Sequence, residues 1–361
     1  MTYLTVIIPT YNRLDRLQKV LAALATQTYP DFEIIVVSDG STDGTDAYLQ
    51  KLVSSEQWAV HSDSFSIPHS PFSIPHSSLP PLHPLFQPNQ GVAATRNHGL
   101  REATGELVLF IDDDVVPTPT LIAEHVAWHE QHGPDVIVMG PMLTPADFAM
   151  KPWVQWEQAM LMKQYDDMAA GRWQPTARQF YTGNTSLRRA HLETVGGFDP
   201  AFRRAEDVEL AYRLADRGLR FLFNPNAIGY HFAERSFPSW LATPYAYGRN
   251  DVIFTRDKGQ RWLLPTIAYE FRTSRHPLIR ALTRLCLDRP RISQVVMGVS
   301  RFAAAIGHRL NIRQLPRLGY SVIFNLRHYQ GISDELRGRE QFFALIQQSQ
   351  VEGKPPAVVG T

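Results

Sequence analysis

The sequence predicts an α/β fold with a mostly parallel central sheet flanked by helices, and three features carry that prediction. Short apolar runs rich in β-formers, at residues 4–8, 32–37 and 107–111, alternate with stretches of helical spacing. Alternation of strand and helix implies parallel pairing through right-handed crossovers. Each run also ends in a polar loop, at 9–13, 38–45 and 112–114. In sheets of this kind ligands sit beyond the carboxyl ends of the strands, so three polar loops are expected to converge on one edge.

The first strand stops at Pro9-Thr10-Tyr11-Asn12-Arg13, after which Leu14, Leu17, Val20, Leu21 and Leu24 recur at helical spacing. The second strand gives way to a loop dense in turn formers, Ser38-Asp39-Gly40-Ser41-Thr42-Asp43-Gly44-Thr45, that ends at a helix start. Residues 54–88 interrupt the pattern. There Phe-Ser-Ile-Pro-His-Ser occurs at 65–70 and again at 72–77, and the prolines exclude a helix. We read this stretch as an extended surface insertion, with His61, His69, His76 and His83 more plausible as surface residues than as a metal site. Order is expected to return at Asn89, with a helix from Gly91 carrying Arg96 and Asn97.

The third strand, 107–111, runs straight into Asp112, Asp113 and Asp114. If strand geometry continues, Asp112 and Asp114 face one side and Asp113 the other. Carboxylates at a strand end suit Mg²⁺ or Mn²⁺, which take few protein ligands and complete their shell with phosphates and water. A solvated acidic turn is the plain alternative. A helix near 118–131 and a strand at 136–139 complete the first half.

Beyond residue 140, Trp153, Trp156, Tyr165 and Trp173 are scattered among polar residues and serve a second core or a sugar-binding cleft. A strand at 179–187, a Gly196-Gly197-Phe198-Asp199 turn and a helix from Glu206 to near Gly218 follow. Glu206 and Asp207 open that helix. Acids there satisfy free N–H groups and the dipole, and the same environment is expected to keep a carboxylate ionised, as a base must be before it takes a proton. His231 follows a short strand and is either a packed residue or the imidazole that completes an oxygen-rich Mn²⁺ site. The last part is helical in spacing and strongly basic. Residues 271–330 hold eleven arginines, no lysine and one acid, Asp288, a pattern read as docking on an anionic membrane surface.

A 361-residue chain that is 44% hydrophobic and 20% charged has the composition of a globular protein with a sizeable core. Its net charge of +1 gives no reason to expect nucleic acid. The single cysteine, Cys286, excludes an intramolecular disulfide and fits a reducing compartment. The first residues read as a strand rather than a signal peptide, and no uncharged apolar run is long enough to span a bilayer. A cytoplasmic protein, peripheral at the inner face of the plasma membrane, is the expectation.

Six stretches together resemble the family 2 inverting glycosyltransferases of the GT-A fold. They are Val-Ile-Ile-Pro-Thr-Tyr-Asn-Arg (6–13), Val-Ser-Asp-Gly-Ser-Thr-Asp-Gly-Thr (37–45), Asn-Gln-Gly-Val-Ala-Ala-Thr-Arg-Asn-His-Gly (89–99), Ile-Asp-Asp-Asp (111–114), Gly-Gly-Phe-Asp (196–199) and Glu-Asp-Val-Glu-Leu (206–210). The resemblance covers about residues 3–235, apart from the insertion, and implies a nucleotide-diphosphate sugar donor. Pro9, Thr10, Tyr11 and Arg13 would line the nucleotide pocket, Asp39 would recognise the base, and Arg96 would lie near the phosphates. Asp112 and Asp114 match the family's Asp-X-Asp pair, with Asp113 between them on the donor side. Asp114 would bind Mg²⁺ or Mn²⁺, Asp112 would reach ribose or a metal water, and His231 sits where some members place a further metal ligand. Asp207 matches the catalytic base, with Glu206 beside it. Ser38 departs from the family, many of whose members carry a second Asp there.

The implied organisation is a donor-binding half at 1–140 with the 54–88 insertion, an acceptor and catalytic-base half at 141–262, and a basic helical extension at 263–361. The implied activity is metal-dependent transfer to a saccharide or lipid-linked acceptor in polysaccharide or glycolipid synthesis. The rival readings are a sugar nucleotidyltransferase and a non-catalytic nucleotide-sugar-binding module that docks on a membrane.

Overall fold

The structure, a computed structural model, describes residues 3–54, 65–66, 73–74 and 80–352. Most of the tandem repeat, with His61, His69 and His76, lies outside the described residues. The described residues form two compact units, one made of those up to Phe148 together with Met162–Ala233, the other of Ala149–Leu161 and those from Glu234 to Glu352. These breaks differ from the boundaries at 140 and 262 read from the sequence. The residues from Asn184 to His231 belong to the first unit because they return to its sheets.

The first unit is built on a seven-stranded sheet. In chain order its strands are β1 (Leu4–Thr10), β2 (Phe32–Asp39), β5 (Leu82–Gln87), β6 (Leu107–Ile111), β8 (Val136–Met139), β10 (Asn184–Arg188) and β11 (Arg220–Phe223). In space they run β11-β8-β10-β6-β1-β2-β5. Only β10 is antiparallel, to both its neighbours, so the sheet is mostly parallel as expected. Strands β1, β2 and β6 are buried along their whole length, which is why their sequences are continuous apolar runs instead of alternating ones. Helices α1 (Leu14–Leu24), α2 (Thr45–Ser54), α3 (Val92–Glu102) and α4 (Leu121–His132) make the crossovers and flanking layers. A pair of two-residue strands, β3 (Phe65–Ser66) and β4 (Ser73–Ile74), joins the two copies of the repeat antiparallel.

Strand β5 lies within the stretch read from the sequence as an irregular insertion. Leu82–Gln87 pairs parallel with β2 at the sheet edge. Pro84 hid it: proline cannot serve a central strand but is tolerated at an edge, where one side of the ladder is unpaired.

A small second sheet, β7 (Val115–Pro117), β12 (Gly229–His231) and β9 (Met142–Leu143), stands at the carboxyl end of β6. Its register sets His231 opposite Val115 and therefore next to Asp114. Helix α5 (Pro152–Ala169) is followed by a 3₁₀ turn at Ala177–Gln179, then by α6 (Arg189–Thr194) and α7 (Glu206–Ala215).

The second unit is helical, with α8 (Phe237–Asp257), α9 (Leu263–Thr273), α10 (Pro277–Cys286), α11 (Pro290–Arg309), α12 (Gln314–Glu335) and α13 (Arg339–Glu352). Its α8 and α12 cross with their backbones nearly touching. A Cβ on Gly248 would collide with the His328 carbonyl, and one on Gly331 with the Tyr245 carbonyl. Trp240 is fully buried between Phe237, Trp156, Tyr320 and Phe324, so Trp153 and Trp156 belong to this core. Among the described residues no helix is long and apolar enough to cross a membrane.

Candidate active site

The loops after β1 and β2 are stitched together before any ligand is considered. Asn12 sits in the left-handed region at φ 52°, accepts from the Thr42 amide at 2.7 Å and donates its own amide to the Ser41 hydroxyl at 3.1 Å. Asp43 accepts from the Leu14 amide at 3.0 Å, so the second loop caps the first turn of α1. Pro9 and Thr10 are buried, and Tyr11 stands half exposed beside them.

Asp39, at the end of β2, is buried and saturated with donors. One oxygen accepts from the Gln87 side chain and the Gln90 amide, each at 2.8 Å, and the other from the Gly91 amide at 2.9 Å. The carboxylate thereby fastens the segment that starts α3. Gln87 and Gln90, which the sequence reading did not single out, hold it in place.

The acidic triplet does not alternate as a strand would. Ladder pairing ends at Ile111, and the Val115 amide donates to the Asp112 carbonyl at 3.0 Å, so the three aspartates form a turn. Asp113 and Asp114 both meet the Arg13 guanidinium, the first at 3.1 Å and the second in a shorter contact. Asp113 also accepts from the Thr10 hydroxyl at 2.8 Å. Thr10 and Arg13 therefore hold the triplet in this state, in addition to any part they take in a nucleotide pocket. Burial is the largest influence on both carboxyls. It pushes Asp113 up to about 7 against the pull of Arg13. For Asp114 the burial penalty is outweighed by His231 and Arg13, which hold it down at about 2.

His231 places Nε2 3.5 Å from Asp114, and the Phe232 amide donates to the Asp114 carbonyl at 2.9 Å. The other ring nitrogen, Nδ1, is buried and has no partner among the described residues. Among the described residues no group of three or more His, Cys, Asp or Glu closes a metal cage. An ionised carboxylate beside an imidazole with an unpartnered ring nitrogen nevertheless fits a divalent ion whose remaining positions are filled by phosphates and water, once Arg13 yields its hold on Asp114.

Arg96, on α3, joins the strand end to the start of α7. It donates to Asp112 at 2.9 Å and to Glu206 at 2.8 Å, and is itself buried. Its guanidinium lies 5.5 Å from the centre of the Phe198 ring, within cation–π range. Phe198 is clamped by Asn97, which donates to its carbonyl at 2.7 Å and accepts from its amide at 2.8 Å. Gly197 permits that approach, because a Cβ there would lie 2.5 Å from the Asn97 oxygen. Thus the Gly-Gly-Phe-Asp turn supports the arginine. The turn is legible in the sequence, whereas its contact with Arg96 is not.

Glu206 is buried and Asp207 is partly exposed at the first turn of α7. Ala205 before them adopts a left-handed conformation, φ 59°. Among the described residues Asp207 accepts from the Val208 amide, at 2.8 Å. Burial and then the neighbouring Glu206 raise its carboxyl to about 7, while Arg96 opposes the rise, so the helix start does not hold it ionised as the sequence suggested. Asp207 lies within electrostatic reach of Asp112, so the helix start and the acidic turn share one neighbourhood.

Comparison with known proteins identifies the family and the fold. The sequence profile described as Glycosyl transferase family 2 matches residues 5–196, and that of Glycosyl transferase family group 2 matches residues 107–310. Validoxylamine A glucosyltransferase from Streptomyces hygroscopicus subsp. jinggangensis (strain 5008) is 32% identical over 243 residues, covering 60% of this chain and 52% of that one. The chain thus spans about half the length of the curated relatives it matches first. Among solved structures, the mannosyltransferase PcManGT from Pyrobaculum calidifontis, in complex with GDP-Man and Mn²⁺, superposes with a TM-score of 0.59 at 21% identity, over 92% of this chain and 86% of that one. TarS 1–349 from S. aureus, in complex with UDP-GlcNAc, gives 0.53 at 17% identity, over 99% and 95%. With the family profile covering more than half of its length, this chain belongs to glycosyl transferase family 2 and has the GT-A fold.

Proposed function

We propose that the chain moves a sugar from a nucleoside-diphosphate sugar to an acceptor hydroxyl, inverting the anomeric carbon in one displacement. The observation that carries this reading is the Arg96 bridge, which ties the acidic turn to the helix that presents Glu206 and Asp207. The loops bearing Pro9, Tyr11 and Arg13 and the Asp39 end of β2 suit the nucleotide, at the sheet edge where such ligands bind. The nucleotide-sugars held by the two solved relatives support a donor of this class.

Asp114 and His231 would hold Mg²⁺ or Mn²⁺, with Asp112 near its water or the donor ribose. Such an ion, when bound, supplies positive charge against the departing diphosphate. Asp207 takes the proton from the acceptor hydroxyl as that oxygen bonds to the anomeric carbon and the bond to the diphosphate oxygen breaks. Attack from the face opposite the phosphate inverts the centre, and no covalent enzyme intermediate is needed. Arg96 keeps Glu206 and Asp112 in place. Arg13, now on Asp113 and Asp114, must share those carboxylates with the incoming charges. We place the reaction in polysaccharide or glycolipid synthesis, with a saccharide or lipid-linked acceptor at an anionic membrane face.

A panel of nucleotide-sugars incubated with Mn²⁺ tests the reading. One of them should release nucleoside diphosphate and raise the melting temperature, and chelation should abolish both effects. Pyrophosphate released from a nucleoside triphosphate and sugar phosphate would contradict transfer.

A further inference from the structure

Helix α11 divides its large apolar side chains, with Met297 packed inward against the Trp240 core and Ile292, Val295, Val299 and Phe302 left exposed. Its fully buried residues are small, Ser293, Ala304 and Gly307. Gly319 of α12 comes so close there that a Cβ on it would lie 2.5 Å from the Ser300 carbonyl. On the outward side Val295, Val299 and Phe302 are 66%, 63% and 68% exposed, and Ile292 extends the same stripe. At 3.6 residues per turn the stripe lies roughly 130° around the helix from the buried face. Helix α10 repeats the pattern, with Leu278 and Leu285 exposed while Ile279 and Cys286 are buried. Leu310 and Ile312 continue the exposed apolar surface past the end of α11. Exposed apolar side chains ranged along one helix in this way mark an interaction face.

The charges around it select the partner. Arg291 and Arg309 fall at the border of the α11 stripe by helical spacing, and Arg284, Arg289 and Arg313 are exposed nearby in sequence. The one acid of 271–330, Asp288, accepts from the Arg339 amide at 2.8 Å. Two copies of this chain meeting through the stripe would bring the bordering Arg291 and Arg309 of each into one apolar interface with no acid on α11 to neutralise them. Lipid phosphates would neutralise them instead. No described helix can cross a bilayer, so the geometry is that of helices lying in the interface plane.

We infer that the α10–α11 face rests on an anionic lipid surface. Val295, Val299 and Phe302 enter the boundary between headgroups and acyl chains, and the bordering arginines meet lipid phosphates. This docking does not depend on the transfer chemistry.

The test is co-sedimentation of the full chain with vesicles of phosphatidylcholine alone or mixed equally with phosphatidylglycerol. The mixed vesicles should capture the protein at least about tenfold better, and high salt should weaken capture. The double substitution Val299→Ser/Phe302→Ser should reduce capture about tenfold with an unchanged circular dichroism spectrum. Arg291→Gln/Arg309→Gln should reduce capture severalfold, and on the anionic vesicles only. Absence of capture, or equal capture by both vesicle types, would overturn the inference. So would a dimer that Val299→Ser/Phe302→Ser disperses while vesicles capture nothing, since the stripe would then serve a second copy.

Discussion

Asp207 gives up its proton reluctantly, and that has a kinetic signature. Burial and Glu206 raise its carboxyl to about 7, yet a general base must be ionised before it acts. With Asp207 as the base, kcat/KM should rise with pH and level off above about 7. A profile already flat at pH 5 would exclude this residue. Arg96 supplies a second prediction. Removing it leaves Glu206 and Asp112 without their shared cation, one of them buried, and breaking such a pairing typically costs about 3–5 kcal/mol. Arg96→Ala should therefore lower the urea midpoint substantially. Arg96→Lys should recover only part of the loss, because one ammonium cannot reproduce the forked geometry. At this scale the sequence was half legible. Residue types and spacing drew attention to the three aspartates, and only the family resemblance singled out Asp207 from its neighbour, but alternation along a strand mispaired the triplet because a turn begins at Asp112. The contacts of Thr10 with Asp113 and of Asn97 with Phe198 join residues about a hundred positions apart, and no local pattern encodes them.

Between α4 and β10 lies a buried polar network that sets acid stability. His125 bonds to Ser186 at 2.8 Å and to Asn184 at 3.0 Å, and His129 bonds to the same Ser186 at 2.8 Å. Burial lowers His125 from 6.5 to about 4. The unfolded imidazole takes a proton near 6.5 while the folded one stays neutral, so stability is full above pH 6.5 and is lost as pH falls toward 4. At about 1.4 kcal/mol per unit, His125 accounts for roughly 3 kcal/mol of that loss. Denaturant midpoints measured between pH 7 and 4.5 should fall less steeply for His125→Asn than for the native chain. Equal slopes would contradict the assignment. The left-handed Ala205 makes a prediction at the start of α7. That conformation costs an L-residue roughly 1–2 kcal/mol, so Ala205→Gly should stabilise by up to about 1 kcal/mol after glycine's entropy cost. A lower melting temperature for Ala205→Gly would show that the conformation carries no strain. Among elements, the long apolar strands and spaced helices were readable. Strand β5 was not, since Pro84 suppresses the only local signal an edge strand gives.

For the whole molecule, the parallel sheet followed from the order of elements, and its edge gathered the loops that the crossover rule named. The division into units was harder to read. Residues after 184 return to the first sheet through β10, an antiparallel insertion that the strand–helix alternation does not announce. The arginine excess of 271–330 was plain in the sequence, whereas the outward turn of α11 needed coordinates, because amphipathic spacing does not say which face is packed. The central claim is that Asp207 is the proton acceptor beside a donor site built on the acidic turn. Transfer rate and nucleotide affinity of Asp207→Asn test it together. The rate should fall about 10²–10⁴-fold while affinity for the nucleoside diphosphate stays within about twofold. A variant that keeps most of its transfer rate would show that another group takes the proton.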